Sequence, residues 1–149
     1  MRKKKNSRGK NERDDKLPSQ RVIKVSDTEY RLPCAVCGKI AVYFVISTLG
    51  SSKKEALICS GIVHSSSLNL SIAKKIFSWL KQGQISQVHF YLEKNSIVPF
   101  EEGIDAYCPE CDKIFCGSHY TTREEWDEGW FYDCTYGTCP EGHQRIIHD

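Results

Sequence analysis

Six candidate metal ligands lie in Cys108-Pro-Glu-Cys111-Asp-Lys-Ile-Phe-Cys116-Gly-Ser-His119 and, further on, in Cys139-Pro-Glu-Gly-His143. Structural zinc sites take four thiolate or imidazole ligands in a tetrahedron, often as two close pairs from two turns. The stretch supplies three such pairs, and one further thiol lies between them at Cys134. It therefore predicts a protein built around zinc.

Two of the three pairs form the most economical single site. Cys108 and Cys111 lie in one tight turn, and Cys139 and His143 lie in a second turn beyond an intervening segment. Two such turns around one ion are the pattern of a zinc ribbon or a related clef. We therefore predict that these four residues bind one zinc ion.

The remaining pair, Cys116 and His119, is half of a further site and needs two more ligands. Cys134 is a local candidate, although an inert buried thiol would explain it equally well. His148 is not expected to be a ligand, because the last residues of a chain tend to fray. The chain is predicted to bind two or three zinc ions.

A Cys-x2-Cys turn like that of Cys108 and Cys111, here called a zinc knuckle, precedes a predicted hairpin in the first half of the chain. Cys34-Ala-Val-Cys37 leads into residues 40–59, which are rich in the β-branched and aromatic side chains that favour strands. Cys59 ends this run, and His64 follows it. We therefore predict a zinc site of Cys34, Cys37, Cys59 and His64. The competing interpretation makes Cys59 an inert core thiol and His64 a residue at a helix start.

Hydrophobic spacing predicts the other elements. Residues 21–32 contain a short strand, and residues 68–81 have a near-3.6-residue apolar period that indicates a helix, preceded by serines suited to an N-cap. Residues 84–93 alternate apolar and polar side chains, which predicts a strand with His89 on its surface. A Thr-x-x-Glu capping box predicts a short helix over residues 121–128.

Two resemblances to known zinc modules follow from these patterns. The knuckle, hairpin and helix of residues 33–82 resemble a treble clef. The C-x2-C-x4-C-x2-H spacing of residues 108–119 resembles FYVE-type and AN1-type fingers, in which adjacent pairs serve different zinc ions. That second resemblance implies a cross-brace in which Cys34 and Cys37 share a metal with Cys116 and His119. We favour separate sites, because about 70 residues separate the first knuckle from the second.

The predicted fold class is α+β, with two small zinc-stapled modules that are treble-clef or zinc-ribbon like. Residues 1–20 are polar and basic and are predicted to be a disordered tail. The net charge is +6 over residues 1–31, +5 over residues 32–100 and −9 over residues 101–149. We therefore place a module boundary near residue 100, with an N-terminal module at 21–99 and an acidic module at 100–149.

Eight cysteines among 149 residues, with no secretory signal and no apolar run long enough to cross a membrane, favour zinc over disulfides. We expect an intracellular protein without a membrane partner, cytoplasmic or, in a eukaryote, nuclear.

Catalysis is not expected. Pro33-Cys34-Ala-Val-Cys37 matches half of the zinc-deaminase signature, but no histidine precedes residue 33 and none of the five is followed by Glu at the second position. The H-E-x-x-H, Walker and G-x-S-x-G motifs are also missing. Closed Cys/His sites leave no position for a bound water, which makes their zinc structural. The alternative is an enzyme with an unrecognised Cys/His pair, such as Cys59 with His64.

Three roles fit a non-catalytic zinc protein. The basic tail and a lysine-rich helix could contact nucleic acid, through Lys74, Lys75 and Lys81 with support from Lys53 and Lys54. The aromatic run of the acidic module could receive a basic protein partner, through Trp126, Trp130, Phe131 and Tyr132. A RING-like ubiquitin-ligase component is the third alternative. Plain roles in solubility and core packing compete with the first two.

Overall fold

A computed structural model of the protein describes residues 21–149. The larger sheet has five antiparallel strands in sequence order. These are β1 (Ile23–Ser26), β2 (Glu29–Pro33), β3 (Ile40–Leu49), β4 (Lys54–Ser60) and β5 (Ser65–Leu68). A short 3-10 turn at Gly50–Ser52 joins β3 to β4. The hairpin predicted over residues 40–59 is confirmed, and residues 21–32 contain two strands.

Side-chain alternation builds the buried face of this sheet. Val42 and Phe44 on β3 are fully buried, whereas Tyr43 between them is exposed. Leu32 pairs with Val42 across the β2–β3 ladder, so that buried side chains face the same side. This is the period of two that a half-buried strand requires.

Two helices cover the sheet. A 3-10 turn at Leu70–Ile72 leads into α1 (Ala73–Lys81), and α2 (Ile85–Lys94) follows after a three-residue turn. Ala73, Ile76 and Leu80 form the buried stripe of α1. The rings of Tyr30 on β2 and Phe77 on α1 lie 5.0 Å apart, which fixes the helix on the sheet.

The predicted start of the first helix is wrong. The serines assigned to its N-cap lie in β5, where they pair with β4. The first cap is instead Asn69, whose Oδ1 accepts from the backbone N–H of Ser71 at 2.8 Å. Serine satisfies a strand edge as readily as a helix end, so that its side chain alone could not locate the boundary.

The predicted strand over residues 84–93 is also wrong, because this segment is α2. Ile85, Val88, His89 and Leu92 are buried at helical spacing. His89 is only 2% exposed, and its Nδ1 accepts from the backbone N–H of Ile104 at 3.0 Å. Burial, with the nearby Arg145, lowers the pKa of His89 to about 3, so that this histidine is a neutral core residue.

Two smaller sheets complete the chain. One consists of β6 (Tyr107–Cys108) and β7 (Lys113–Ile114), and the other has the order β10-β9-β8. Its strands are β8 (Thr121–Trp126), β9 (Tyr132–Thr138) and β10 (Gln144–His148). The helix predicted over residues 121–128 is therefore wrong. Threonine and tryptophan favour strands, and pairing of β8 with β9 overrides the apparent capping box.

A buried carboxylate joins the two halves of the chain. Asp105 is fully buried and accepts from the backbone N–H groups of Ile62, Val63 and His64 at 2.8–3.0 Å. A Cβ at Gly61 would lie 2.1 Å from Asp105 Oδ1, so that only glycine allows this approach. The connection between β4 and β5 is thus held by a residue more than 40 positions away.

Arg145 on β10 binds the backbone of the segment that contains Asp105. Its guanidinium donates to the carbonyl oxygens of Tyr107 at 2.8 Å, Ile104 at 2.7 Å and Glu102 at 3.0 Å. Gly103 has a φ of +82°, and a Cβ there would lie 2.3 Å from the His89 ring. The segment that links α2 to β6 is therefore fixed by the arginine, the histidine and the glycine together.

One cluster of buried side chains runs from Tyr30 to Ile147 and includes residues on both sides of position 100. The predicted module boundary therefore lies within a segment that packs into a continuous core. The predicted tail at 1–20 lies outside the described residues. Within residues 21–149, neither helix has the length and apolar character needed to cross a membrane.

We expect Asp105→Ala to lower the free energy of unfolding by about 3 kcal/mol or more, because it leaves the backbone N–H groups of Ile62, Val63 and His64 without their shared acceptor. Urea unfolding of metal-loaded protein, followed by circular dichroism, measures this. Asp105→Asn keeps one acceptor oxygen and should lose less. Asp133→Ala, at an exposed position of β9, is the matched control and should change stability by about 0.5 kcal/mol or less. A loss below about 1 kcal/mol for Asp105→Ala would contradict the role assigned to this carboxylate.

Candidate metal centres

The first cluster consists of Cys34, Cys37, Cys116 and His119. Their ligand atoms all lie within 4.8 Å of one another. Cys37 Sγ lies 3.6 Å from Cys116 Sγ, and Cys34 Sγ lies 3.7 Å from His119 Nδ1. The cluster thus joins one ligand pair from each half of the chain.

The backbone brings these two pairs together. The turn after β2 closes through hydrogen bonds from Cys34 N to Lys39 O and from Gly38 N to Cys34 O, with Gly38 at a φ of +81°. The backbone N–H of Ala35 donates to Ile114 O on β7 at 2.8 Å. This bond seats the first turn directly beside the segment that carries Cys116.

The second cluster consists of Cys108, Cys111, Cys139 and His143, as the sequence predicts. Cys111 Sγ lies 3.7 Å from Cys139 Sγ and 3.3 Å from His143 Nδ1. Cys108 Sγ lies 3.6 Å from the same nitrogen. The distances within this cluster closely match those within the first.

Two turns with left-handed residues shape the second cluster. Asp112 has a φ of +57°, and its side chain accepts from the Tyr107 hydroxyl. Gly142 has a φ of +95°. The other ring nitrogen of His143, Nε2, lies 3.1 Å from a carboxylate oxygen of Glu110. Metal-binding histidines commonly make this contact, since it orients the ring and directs Nδ1 to the metal.

Both clusters have the dimensions of a tetrahedral zinc site. A tetrahedron with Zn–S bonds of about 2.3 Å has sulfur–sulfur edges of about 3.8 Å and sulfur–nitrogen edges of about 3.6 Å. The Cys37–Cys116 sulfur–sulfur distance is 3.6 Å and the Cys111–Cys139 distance is 3.7 Å. The sulfur–nitrogen distances run from 3.3 to 3.7 Å. The residues present therefore fit a four-coordinate ion.

The local fields favour thiolates at two of the cysteines. Although burial raises the pKa of Cys116, hydrogen bonds from His119 and the Ser118 backbone lower it to about 6. At Cys139, backbone N–H groups of His143 and Glu141 similarly outweigh burial and lower the pKa to about 7. Conversely, burial and the adjacent thiols raise the pKa of Cys111 to about 12. Several thiolates in one cluster repel one another, and a divalent cation would relieve that repulsion.

The ligand pairs alternate along the chain between the clusters. The first and third pairs form the first cluster, and the second and fourth pairs form the second. The structure thus contains the cross-brace that the FYVE-type and AN1-type resemblance implies, instead of the separate first site favoured from spacing. Two Cys3His groups in residues 21–149 correspond to two metal ions.

The three remaining predicted ligands lie outside both clusters. Cys59 is buried on β4 opposite Phe44, and burial, followed by the charge of Asp105, raises its pKa well above the usual value. His64 is buried, and its ring centroid lies 4.5 Å from that of His148. Its backbone N–H donates to Asp105. Cys134 is buried on β9. None of these residues is grouped with the eight cluster ligands.

Sequence reasoning missed two supporting residues, Asp105 and Glu110. Asp105 lies in a segment that reads as a linker, and its role depends on backbone groups that are distant in sequence. Glu110 lies inside the Cys108–Cys111 turn, and its partner His143 is distant in sequence, so that only the predicted pairing of these two turns around one ion pointed to it.

Comparison with known proteins gives one match. No curated protein and no solved structure matches this chain. A family model matches residues 23–149, a range that contains all eight cluster residues and all ten strands. The chain therefore belongs to the family described as Domain of unknown function (DUF8328).

Proposed function

We propose that the protein is a non-catalytic zinc protein whose two ions are structural and hold a binding scaffold together. The observation that carries this proposal is the pair of closed Cys3His clusters. Each cluster supplies four protein ligands, which fill a tetrahedral zinc and leave no open position for water or substrate. Three thiolates and one imidazole per site also favour zinc over magnesium or calcium, which prefer oxygen ligands.

In this proposal the first ion acts as a long-range crosslink. It would join Cys37 to Cys116, which are 79 positions apart. When bound, zinc would neutralise thiolate charge and contribute its binding free energy to folding. The protein's own residues supply the rest: Gly38 and Gly142 shape the turns, and Glu110 orients His143.

The binding role that we propose for the scaffold is contact with nucleic acid, through the basic tail and α1. Lys74, Lys75 and Lys81 are exposed on α1, in the basic half of the chain. Residues 1–16 add eight Lys and Arg against three acidic residues. Lysine contacts to phosphate release counterions and give affinity without sequence preference.

A protein adaptor is the second candidate, and the β8–β9 loop favours it. Trp130 is 83% exposed and Phe131 is 71% exposed, although large aromatic side chains are usually covered. Asp127 Oδ1 accepts from the backbone N–H groups of Gly129 and Phe131 at 2.9 Å, which fixes the loop. With Glu128 and Asp133 also exposed nearby, a basic protein is the matching partner.

Elemental analysis combined with native mass spectrometry should find two zinc ions per chain. Under mild competition from a chelator, Cys116→Ala and Cys111→Ala should each retain one ion, because each variant removes a ligand from a different cluster. Cys59→Ala and Cys134→Ala are the matched controls and should retain two. Full occupancy in Cys116→Ala, or loss of an ion in Cys59→Ala, would contradict the proposed ligand sets.

We expect binding to a labelled duplex or single strand to weaken at least tenfold between about 50 mM and about 200 mM salt. Removal of residues 1–16 should reduce both the affinity and the steepness of this dependence, because it removes phosphate contacts. Fluorescence anisotropy at several salt concentrations measures both. If the full chain binds neither probe at about 50 mM salt, the nucleic-acid role is wrong, while the zinc scaffold is tested separately by the metal count.

A further inference from the structure

The outer faces of α1 and α2 form a groove, in which Trp79 is partly buried against the core while the lysines are exposed. Two helical stripes line it, both at spacings of three and four residues and both opposite the buried stripes. On the α1 side the groove is lined by Ser71 and Ile72 of the preceding 3-10 turn and by Lys74, Lys75, Ser78 and Trp79 of the helix. The α2 stripe comprises Gln87, Phe90, Tyr91 and Lys94, followed by Asn95.

Lys75, Trp79 and Tyr91 form the centre of the groove. The rings of Trp79 and Tyr91 lie 5.5 Å apart, and the Lys75 ammonium lies 5.7 Å from one ring and 5.6 Å from the other. These three residues divide the groove into concavities of about 570 and 440 Å³, within the size range of ligand sites. The lysine is thus held over two aromatic faces by cation–π contacts.

The charge of the groove is of one sign. Its lining contains Lys74, Lys75 and Lys94, while its other polar members are neutral serine and amide side chains. No carboxylate lines either concavity. Phe90, on the α2 side, is 49% exposed and offers a third ring. An anionic partner with flat apolar groups matches this combination of charge and aromatic surface.

We propose that this groove binds single-stranded nucleic acid, an inference that rests on the proposed nucleic-acid role and assigns it to a surface. Unpaired bases would stack on Trp79, Tyr91 and Phe90, while phosphates would contact the lysines. Base stacking on exposed rings, combined with a basic groove, is how proteins bind single strands without reading sequence. A duplex keeps its bases stacked inside and would gain only the lysine contacts.

The first test uses fluorescence anisotropy with a labelled oligo(dT) of about 15 nucleotides, the zinc-loaded full chain and about 50 mM salt. Lys75→Gln and Tyr91→Ala should each weaken binding by about fivefold or more. Lys24→Gln removes the same charge at an exposed position on β1, outside the groove, and should change affinity less than twofold. An unchanged zinc count in each variant confirms that the scaffold is intact.

A second readout places the strand on the groove. The chain has three tryptophans, so that a Trp126→Phe/Trp130→Phe variant leaves Trp79 as the only one. Oligo(dT) should change the emission of Trp79 in this variant, because a stacked base alters the environment of the indole. Unchanged emission at saturating oligo(dT) would overturn the proposal.

The other outcomes are equally distinct. Wild-type affinity in Lys75→Gln and Tyr91→Ala, with affinity lost on removing residues 1–16, would overturn the groove and leave the tail as the nucleic-acid contact. Equal affinity for a duplex or for poly-glutamate of matched length would overturn base stacking. Absence of any binding would overturn both the groove and the nucleic-acid role. The two-zinc proposal is tested independently, by the metal count.

Discussion

The first metal cluster places one geometric condition on the chain: the turn between β2 and β3 must lie against the turn after β7. Cys34 and Cys37 have only two ligand atoms, and their nearest partners in space are Cys116 and His119. The backbone bond from Ala35 to Ile114 seats the turns side by side. Strands β3 to β5, α1 and α2 therefore lie within a loop whose two ends meet at one site, while β1 and β2 precede that loop.

A polar hub of buried Asp105 and partly buried Arg145 maintains this closure. Asp105 and Arg145 fix the segment between α2 and β6. This segment positions the two turns of the second cluster, which carry Cys108 with Cys111 and Cys139 with His143. Hydrogen bonds to a buried charge contribute about 1.5–3 kcal/mol each, whereas an exposed ion pair such as Lys24–Asp27 is screened by solvent and contributes little. The hub therefore matters more to the fold than the surface ion pairs.

The sequence predicts features whose signal is local and misses those that depend on distant contacts. The Cys-x2-Cys turns and strand β3 follow from spacing and side-chain type within a few residues. The cross-brace depends on which turns meet in space, and the 70 intervening residues conceal it. The apolar residues of 84–93 fit both a strand period of two and a helical period. Only the burial of His89 and the exposure of Phe90, which the structure shows, distinguish the helix from the strand. At β8, pairing with β9 overrides a convincing helix cap.

We propose that Cys34 and Cys37 share one ion with Cys116 and His119. NMR of protein loaded with an NMR-active cadmium isotope tests it directly, since scalar couplings link each ion to the β-protons of its own cysteines. We expect one cadmium signal coupled to Cys34, Cys37 and Cys116, and a second coupled to Cys108, Cys111 and Cys139. A signal that couples Cys34 and Cys37 to Cys59, with Cys116 on a different ion or on none, would contradict the cross-brace.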